Sequence, residues 1–236
     1  MHQEQIRPFF LFYGGKWRDT PKHYPEPIYD TIIEPFAGSA GYSLRYPDRK
    51  VKLYDIDPII CGIWDFLIKA KSADILAIPD LLEGESIEDL KVCDEARNLV
   101  GFWLNKGTTS PRKNPSAWMR SGIRPGSFWG DRVRNTIATQ LEYIRHWKIY
   151  NRTYLNSYGF NKATWFIDPP YKIAGSHYKF GSKLIDYDQL SKFCLDRKGQ
   201  VIVCENKGAN WLPFKDLAEV KTTRQNRSSE VIWTNE

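Results

Sequence analysis

The 236-residue chain is poor in cysteine, and its four residues, Cys61, Cys93, Cys194 and Cys204, form no Cys-x-x-Cys pair and no ligand spacing. That argues against a disulfide framework and a cysteine-built metal centre. It points to reduced core thiols in a cytosolic protein, so no metal is expected. No run of about 18 apolar residues occurs, so no membrane span is expected. The N-terminus lacks the charged-then-apolar layout of a secretory leader, which again fits a cytoplasmic protein. There are no internal repeats and no low-complexity tracts, which removes repeat architectures from consideration.

A further shortage is local. Between residues 101 and 152 only Asp131 and Glu142 are acidic, against ten Lys or Arg, a net of +8. The whole chain carries +6, so the remainder is 6 − 8, or −2. The basicity belongs to one segment, and that fits a nucleic-acid surface. Arg112, Lys113, Arg120, Arg124, Arg132 and Arg134 are the residues expected to meet phosphates.

Hydrophobic residues make up 42% of the chain and aromatics 14%, enough for one α/β core and a modest insertion. The stretch Trp165-Phe-Ile-Asp-Pro-Pro-Tyr171 organises it. Three apolar residues read as a buried parallel strand, and Pro-Pro stops it. Asp168 therefore stands at the carboxyl end of a strand, where open α/β sheets bind ligands. An acceptor carboxylate, two proline carbonyls and the Tyr171 ring form a set suited to an exocyclic amine on a flat heterocycle.

Earlier in the chain, Phe12-Tyr-Gly-Gly-Lys16 joins an apolar segment to a glycine turn and a lysine. Thr31 to Ile33 reads as a strand that runs into Glu34-Pro-Phe-Ala-Gly38-Ser-Ala-Gly41, a small-residue loop opening a helix. Val51 to Asp55 is a second strand ending in an acid, placed to accept hydrogen bonds from ribose hydroxyls. Asp57 reads as a helix N-cap, followed by a helix from Ile59 to Ala70 with Ile60, Ile63, Trp64 and Leu67 on one face. Ser86 to Asp89 reads as a helix start, with an apolar stripe from Leu90 to Trp103. A further helix is expected from Arg132 to Ile149 and another from Asp186 to Arg197. Residues 200–206 read as a strand. The polar loop Lys172 to Lys183 could close over a ligand.

These motifs resemble those of Dam-type DNA adenine methyltransferases, from residue 9 to residue 235 and in the family's order. Asp168-Pro169-Pro170-Tyr171 is similar to the catalytic DPPY motif. Phe12 and Lys16 fall on the aromatic and lysine of the N-terminal motif. Glu34, Phe36 and Gly38 fall on the EPFxGxG motif, from which Ala40 departs. Asp55 matches the ribose-binding acid. Near residues 149–154 the family often has an acid; this chain has Asn151 and Arg152 and keeps the aromatic Tyr154. Ser229-Glu-Val-Ile-Trp-Thr-Asn235 resembles the closing strand.

The resemblance implies a Rossmann-like methyltransferase fold, mostly parallel with an antiparallel last strand. It implies a catalytic core at residues 1–71 and 149–236, and a basic, mainly helical target-recognition segment at 72–148. It implies S-adenosylmethionine as cofactor, held by Phe12, Lys16, Glu34, Phe36, Gly38, Asp55, Tyr154 and Asp168, and double-stranded DNA as partner. No protein partner is deducible. The implied reaction moves a methyl group to adenine N6 of a flipped base. Hydrogen bonds to Asp168 and to the Pro169 carbonyl would favour a tetrahedral amine nitrogen, with Tyr171 stacked on the base. Adenine methylation in RNA and cytosine N4 methylation are the alternatives; cytosine N4 enzymes usually carry Ser at the position of Asp168. A silent nucleic-acid-binding protein is the alternative of another class.

Overall fold

The computed structural model describes residues 6–17, 23–82, 84–120, 126–158, 162–221 and 227–235. Among them, β1 (Thr31–Glu34), β2 (Lys50–Asp55), β3 (Lys148–Asn151), β4 (Ala163–Ile167), β5 (Gly199–Asn206), β6 (Lys215–Lys221) and β7 (Arg227–Thr234) form one sheet. Its order is β3-β2-β1-β4-β5-β7-β6. β1 to β5 pair in parallel, and β7 runs antiparallel to both β5 and β6. The chain is thus an α/β protein with a mostly parallel sheet and an antiparallel end. Winding reverses between β1 and β4, so the carboxyl ends of these two strands flank a crevice.

Strand periodicity divides the core in two. In β1, Ile32 enters one hydrophobic cluster and Ile33 the other; in β4, Phe166 and Trp165 do the same. The first cluster takes Trp64 from α1 (Pro58–Lys69), Phe102 from α3 (Asp94–Trp103) and Ile137 from α5 (Asp131–Gln140). Phe9 and Phe10 meet Trp64 edge-on, and the Trp103 indole donates to the Phe9 carbonyl at 2.9 Å. The second cluster packs Phe193 of α6 (Tyr187–Leu195) against Trp165. Residues from the 72–148 segment therefore share a core with the sheet: α3 packs on α1, and α2 (Ser72–Leu76) on α5.

Several expected boundaries move. The helix expected from Ser86 is only a 3-10 turn at Ile87–Asp89, capped by Ser86, and α3 starts anew at Asp94. The helix expected through Ile149 ends at Gln140, tightens into a 3-10 turn at Leu141–Ile144, and gives way to β3. Val133, Ile137, Leu141 and Ile144 are all buried, so the apolar spacing was real but spanned two elements. β6 carried no sequence signal. No helix among the described residues is long and apolar enough to cross a membrane.

Candidate active site

At the carboxyl ends of β1, β2 and β4 a cavity of about 270 Å³ opens, lined among others by Phe12, Lys16, Glu34, Phe36, Gly38, Asp55, Tyr154, Asp168 and Pro170. Phe12 and Asp168, 156 positions apart in sequence, thus share one wall. Pro169 and Tyr171 do not line it.

The loop after β1 is shaped by contacts rather than by glycine alone. Gly38 takes φ +46° and its N–H donates to Asp55 Oδ2 at 3.0 Å. Its carbonyl accepts from the Trp64 indole at 2.8 Å, which ties the loop to the core. Ala40 adopts φ +51° and is fully buried, so alanine does take the left-handed conformation it usually avoids. Gly41 has another task. A Cβ there would lie 2.8 Å from the backbone carbonyl of Lys16, so only glycine lets the lysine segment pack on this loop.

Asp55 also accepts from the Asp57 N–H, through Oδ1 at 2.9 Å. Each of its oxygens thus holds one backbone donor and keeps a second lone pair. Burial pushes its carboxyl up to about 6, against the pull of the Asp57 and Gly38 amides. Asp57 caps α1, accepting from the Ile59 N–H at 3.0 Å. Glu34 is buried and accepts from the Ser43 N–H at 2.9 Å; burial pushes it up to about 8. Phe36 stacks on Tyr154, with centroids 5.4 Å apart. Where an acid was expected, the Asn151 amide donates to the Asp55 and Ile56 carbonyls at 3.0 and 3.1 Å. Asn151 therefore secures the end of β2 and does not line the cavity.

Lys16 reaches past the Phe36 and Asp55 side of the cavity to Asp168. Its Nζ is 3.0 Å from Asp168 Oδ1 and 3.3 Å from Glu230 Oε1, and sits 4.8 Å above the Tyr171 ring. Burial opposes the ammonium, but Asp168 and Glu230 outweigh it and hold its pKa above the ordinary lysine value. The contact to Asp168 is an ion pair made through Oδ1, which is buried against the lysine. Burial raises the Asp168 carboxyl to about 6, with Lys16 pulling down and Glu230 pushing up. Asp168, Cys204 and Glu230 present ligand atoms within 4.8 Å of one another, a spacing that would suit a metal ion; the Lys16 ammonium is the cation that meets both carboxylates.

The proline carbonyls differ. Pro170 accepts from the Tyr187 hydroxyl, while no described residue donates to Pro169. Tyr171, expected to stack on a base, instead turns its hydroxyl to Glu230 Oε1 at 2.6 Å and packs against the first core cluster. Among the aromatics that line the cavity is Tyr178, whose ring centroid lies 5.8 Å from that of Phe12 and whose hydroxyl donates to the Tyr13 carbonyl at 3.1 Å. Glu230 and Tyr178 were not singled out from sequence. Glu230 opens the Glu-apolar-apolar run of the closing segment, and that was the available signal.

The basic segment is less uniform than its composition. Arg112, Lys113, Arg120 and Arg132 are exposed, with Lys113 paired to Glu88. Arg124 lies outside the described residues. Arg134 corrects the expectation of a phosphate contact. It is buried, donates to the Ile78 carbonyl, pairs with Asp80 and Asp131, and lies against Trp129. A guanidinium so engaged fastens α5 to the segment after α2.

No model of a known protein family matches the chain, and no curated protein matches it.

Proposed function

We propose that the chain is an S-adenosylmethionine-dependent DNA adenine methyltransferase with a Rossmann-like methyltransferase fold. The observation that carries the reading is the meeting of Asp55, the Gly38 loop and Asp168 on one cavity at the switch between β1 and β4. That crevice is where this sheet geometry binds its ligand.

The residues fit the cofactor. Asp55 keeps a lone pair on each oxygen for two vicinal hydroxyls, the Gly38 loop offers close backbone approach, and the Phe36–Tyr154 pair offers an apolar wall. Phe12 and Glu34 complete that wall, while Lys16 is engaged with Asp168. When bound, the cofactor supplies an electrophilic methyl group.

The chain's own residues handle the amine. An adenine amino nitrogen is a weak nucleophile because its lone pair is delocalised into the ring. The Asp168 carboxylate accepts one N–H and the Pro169 carbonyl the other, which drives the nitrogen toward tetrahedral geometry and frees the lone pair. Fixed acceptors in a buried site do this without reorganisation. Tyr178, which lines the cavity, can cover a base that has left its stack. The 72–148 segment serves as the target-recognition element through Arg112, Lys113, Arg120 and Arg132.

The test is mass spectrometry of nucleosides from DNA and RNA treated with the chain and cofactor. N6-methyladenine in DNA is expected. Methyladenine in RNA alone, N4-methylcytosine, or no transfer despite cofactor binding would each replace this reading.

A further inference from the structure

Glu230 lies on β7, paired with Asn206 of β5, and is 6% exposed. It does not line the cavity. Its Oε1 accepts from the Tyr24 hydroxyl and the Tyr171 hydroxyl, each at 2.6 Å, and meets the Lys16 ammonium at 3.3 Å. Two stretches far apart in sequence, one with Lys16 and Tyr24 and one with Tyr171, converge on one atom of a third. A buried carboxylate is costly unless it is well paired, and removing its partners is costlier still. Its partners are the lysine that faces Asp168 and the tyrosine three residues beyond Asp168.

We propose that Glu230 is a positioning residue for Asp168: it draws the Lys16 ammonium partly off the carboxylate and anchors Tyr171 behind it. This rests on the methyl-transfer reading of the site. Lys16 is shared, 3.0 Å from Asp168 and 3.3 Å from Glu230. Without the second carboxylate the ammonium would settle wholly on Asp168 and cover the lone pair that a substrate amine needs. The anchored Tyr171 ring limits where that ammonium can go. The groups that face Asp168 are Lys16, Glu34, Tyr171, Tyr178, Cys204 and Glu230, with Tyr24 beyond them. Glu230 is the member that both repels Asp168 and competes for its lysine.

The experiment uses the full chain with Glu230→Gln, which retains an acceptor for both hydroxyls and loses the charge. The Asp168 carboxyl is titrated by carbon NMR, cofactor affinity is measured by calorimetry, and methyl transfer to DNA is followed separately. The Asp168 midpoint should move down, on the order of one pH unit, because a like charge is removed and the lysine shifts toward it. Turnover should fall several-fold while cofactor affinity and KM stay near wild type. An unmoved midpoint, or turnover lost only in step with cofactor affinity, would overturn the proposal. A moved midpoint in a chain that transfers no methyl group would support the geometry and reject the methyl-transfer reading. Tyr24→Phe guards against a Gln variant that does not fold. It strips one donor from Glu230, strengthens its hold on Lys16, and should move the Asp168 midpoint up; no movement there counts against the proposal.

Discussion

Asp168 is held between a lysine that favours its charge and a glutamate that opposes it, inside a site whose burial opposes it most. With its carboxyl at about 6, the ionised acceptor is lost as pH falls through that value. Turnover at saturating cofactor should therefore fall on the acid side with a midpoint near 6, and Asp168→Asn should remove most of the rate at every pH. Asp168→Asn should leave cofactor affinity within a few-fold of wild type, since the loss belongs to the reacting geometry. If Asp55 holds the cofactor as proposed, cofactor affinity should show its own acid limb, also near 6, so the two must be measured apart. A pH-independent rate, or wild-type turnover by the Asn variant, would exclude Asp168 as the acceptor.

The neighbouring Ala40 and Gly41 give a sharper contrast at the same scale. The left-handed conformation costs alanine about 1–2 kcal/mol. Ala40→Gly relieves that but loses about 0.8 kcal/mol of buried methyl and about 0.4–1 kcal/mol of chain entropy. The terms nearly cancel, so denaturant unfolding should show little change. Gly41→Ala forces a Cβ to 2.8 Å from the Lys16 carbonyl, and overpacking of this kind costs about 1–3 kcal/mol. It should also displace Lys16 and cut turnover. The Ala40 departure was visible in sequence, but the reason it is tolerated was not: the close approach falls on Gly41, one residue on, and depends on a segment 25 residues away in the chain (Lys16).

At the level of elements, β1 ends in a buried carboxyl whose one backbone donor is the Ser43 amide. With Glu34 raised to about 8, the folded state binds its proton more tightly than the unfolded chain does. Its contribution to stability is complete below about 4.5 and is lost as pH rises through about 8. Glu34→Gln keeps the bond to Ser43 and removes the ionisation. Unfolding of the cofactor-free chain should show the variant equal to wild type near pH 5 and more stable at pH 9, by an amount on the order of 2–4 kcal/mol. Equal stability at both pH values would mean that Glu34 finds compensation for its charge. Strands β1, β2 and β4 were legible because each joins an apolar period to a clear stop, Glu-Pro, Asp55 or Pro-Pro, and helix α1 because the Asp57 cap marks its start. The 141–151 region was not, because Leu141 and Ile144 continue a helical spacing while Lys148 to Asn151 must pair with β2. Tertiary pairing outweighs local spacing there.

At the scale of the whole molecule, sequence order brought much of the cavity wall within reach of prediction, since the motifs at Glu34, Asp55 and Asp168 each stand at the carboxyl end of a parallel strand and parallel strands end on one edge. What it did not reveal was charge pairing across that edge. Glu230 and Lys16 are 214 positions apart, and Arg134 looked like any other base in a positive segment. That last difference gives a test of the nucleic-acid surface. Arg112 and Arg132 are exposed; Arg134 is spent on Asp80, Asp131 and the Ile78 carbonyl. Each phosphate neutralised on B-DNA adds about 0.9 to the slope of log affinity against log salt. Arg112→Ala with Arg132→Ala should therefore lower that slope by up to about 1.8, with unfolding unchanged. Arg134→Ala should do the reverse: it removes charged hydrogen bonds worth about 1.5–3 kcal/mol each and leaves Trp129 without its cation, so stability falls while the slope of the folded fraction holds. Measured by fluorescence anisotropy across a salt series, a slope unmoved by the double variant would place DNA elsewhere on the molecule. A slope lowered by Arg134→Ala at full stability would show that its guanidinium leaves the two aspartates for a phosphate.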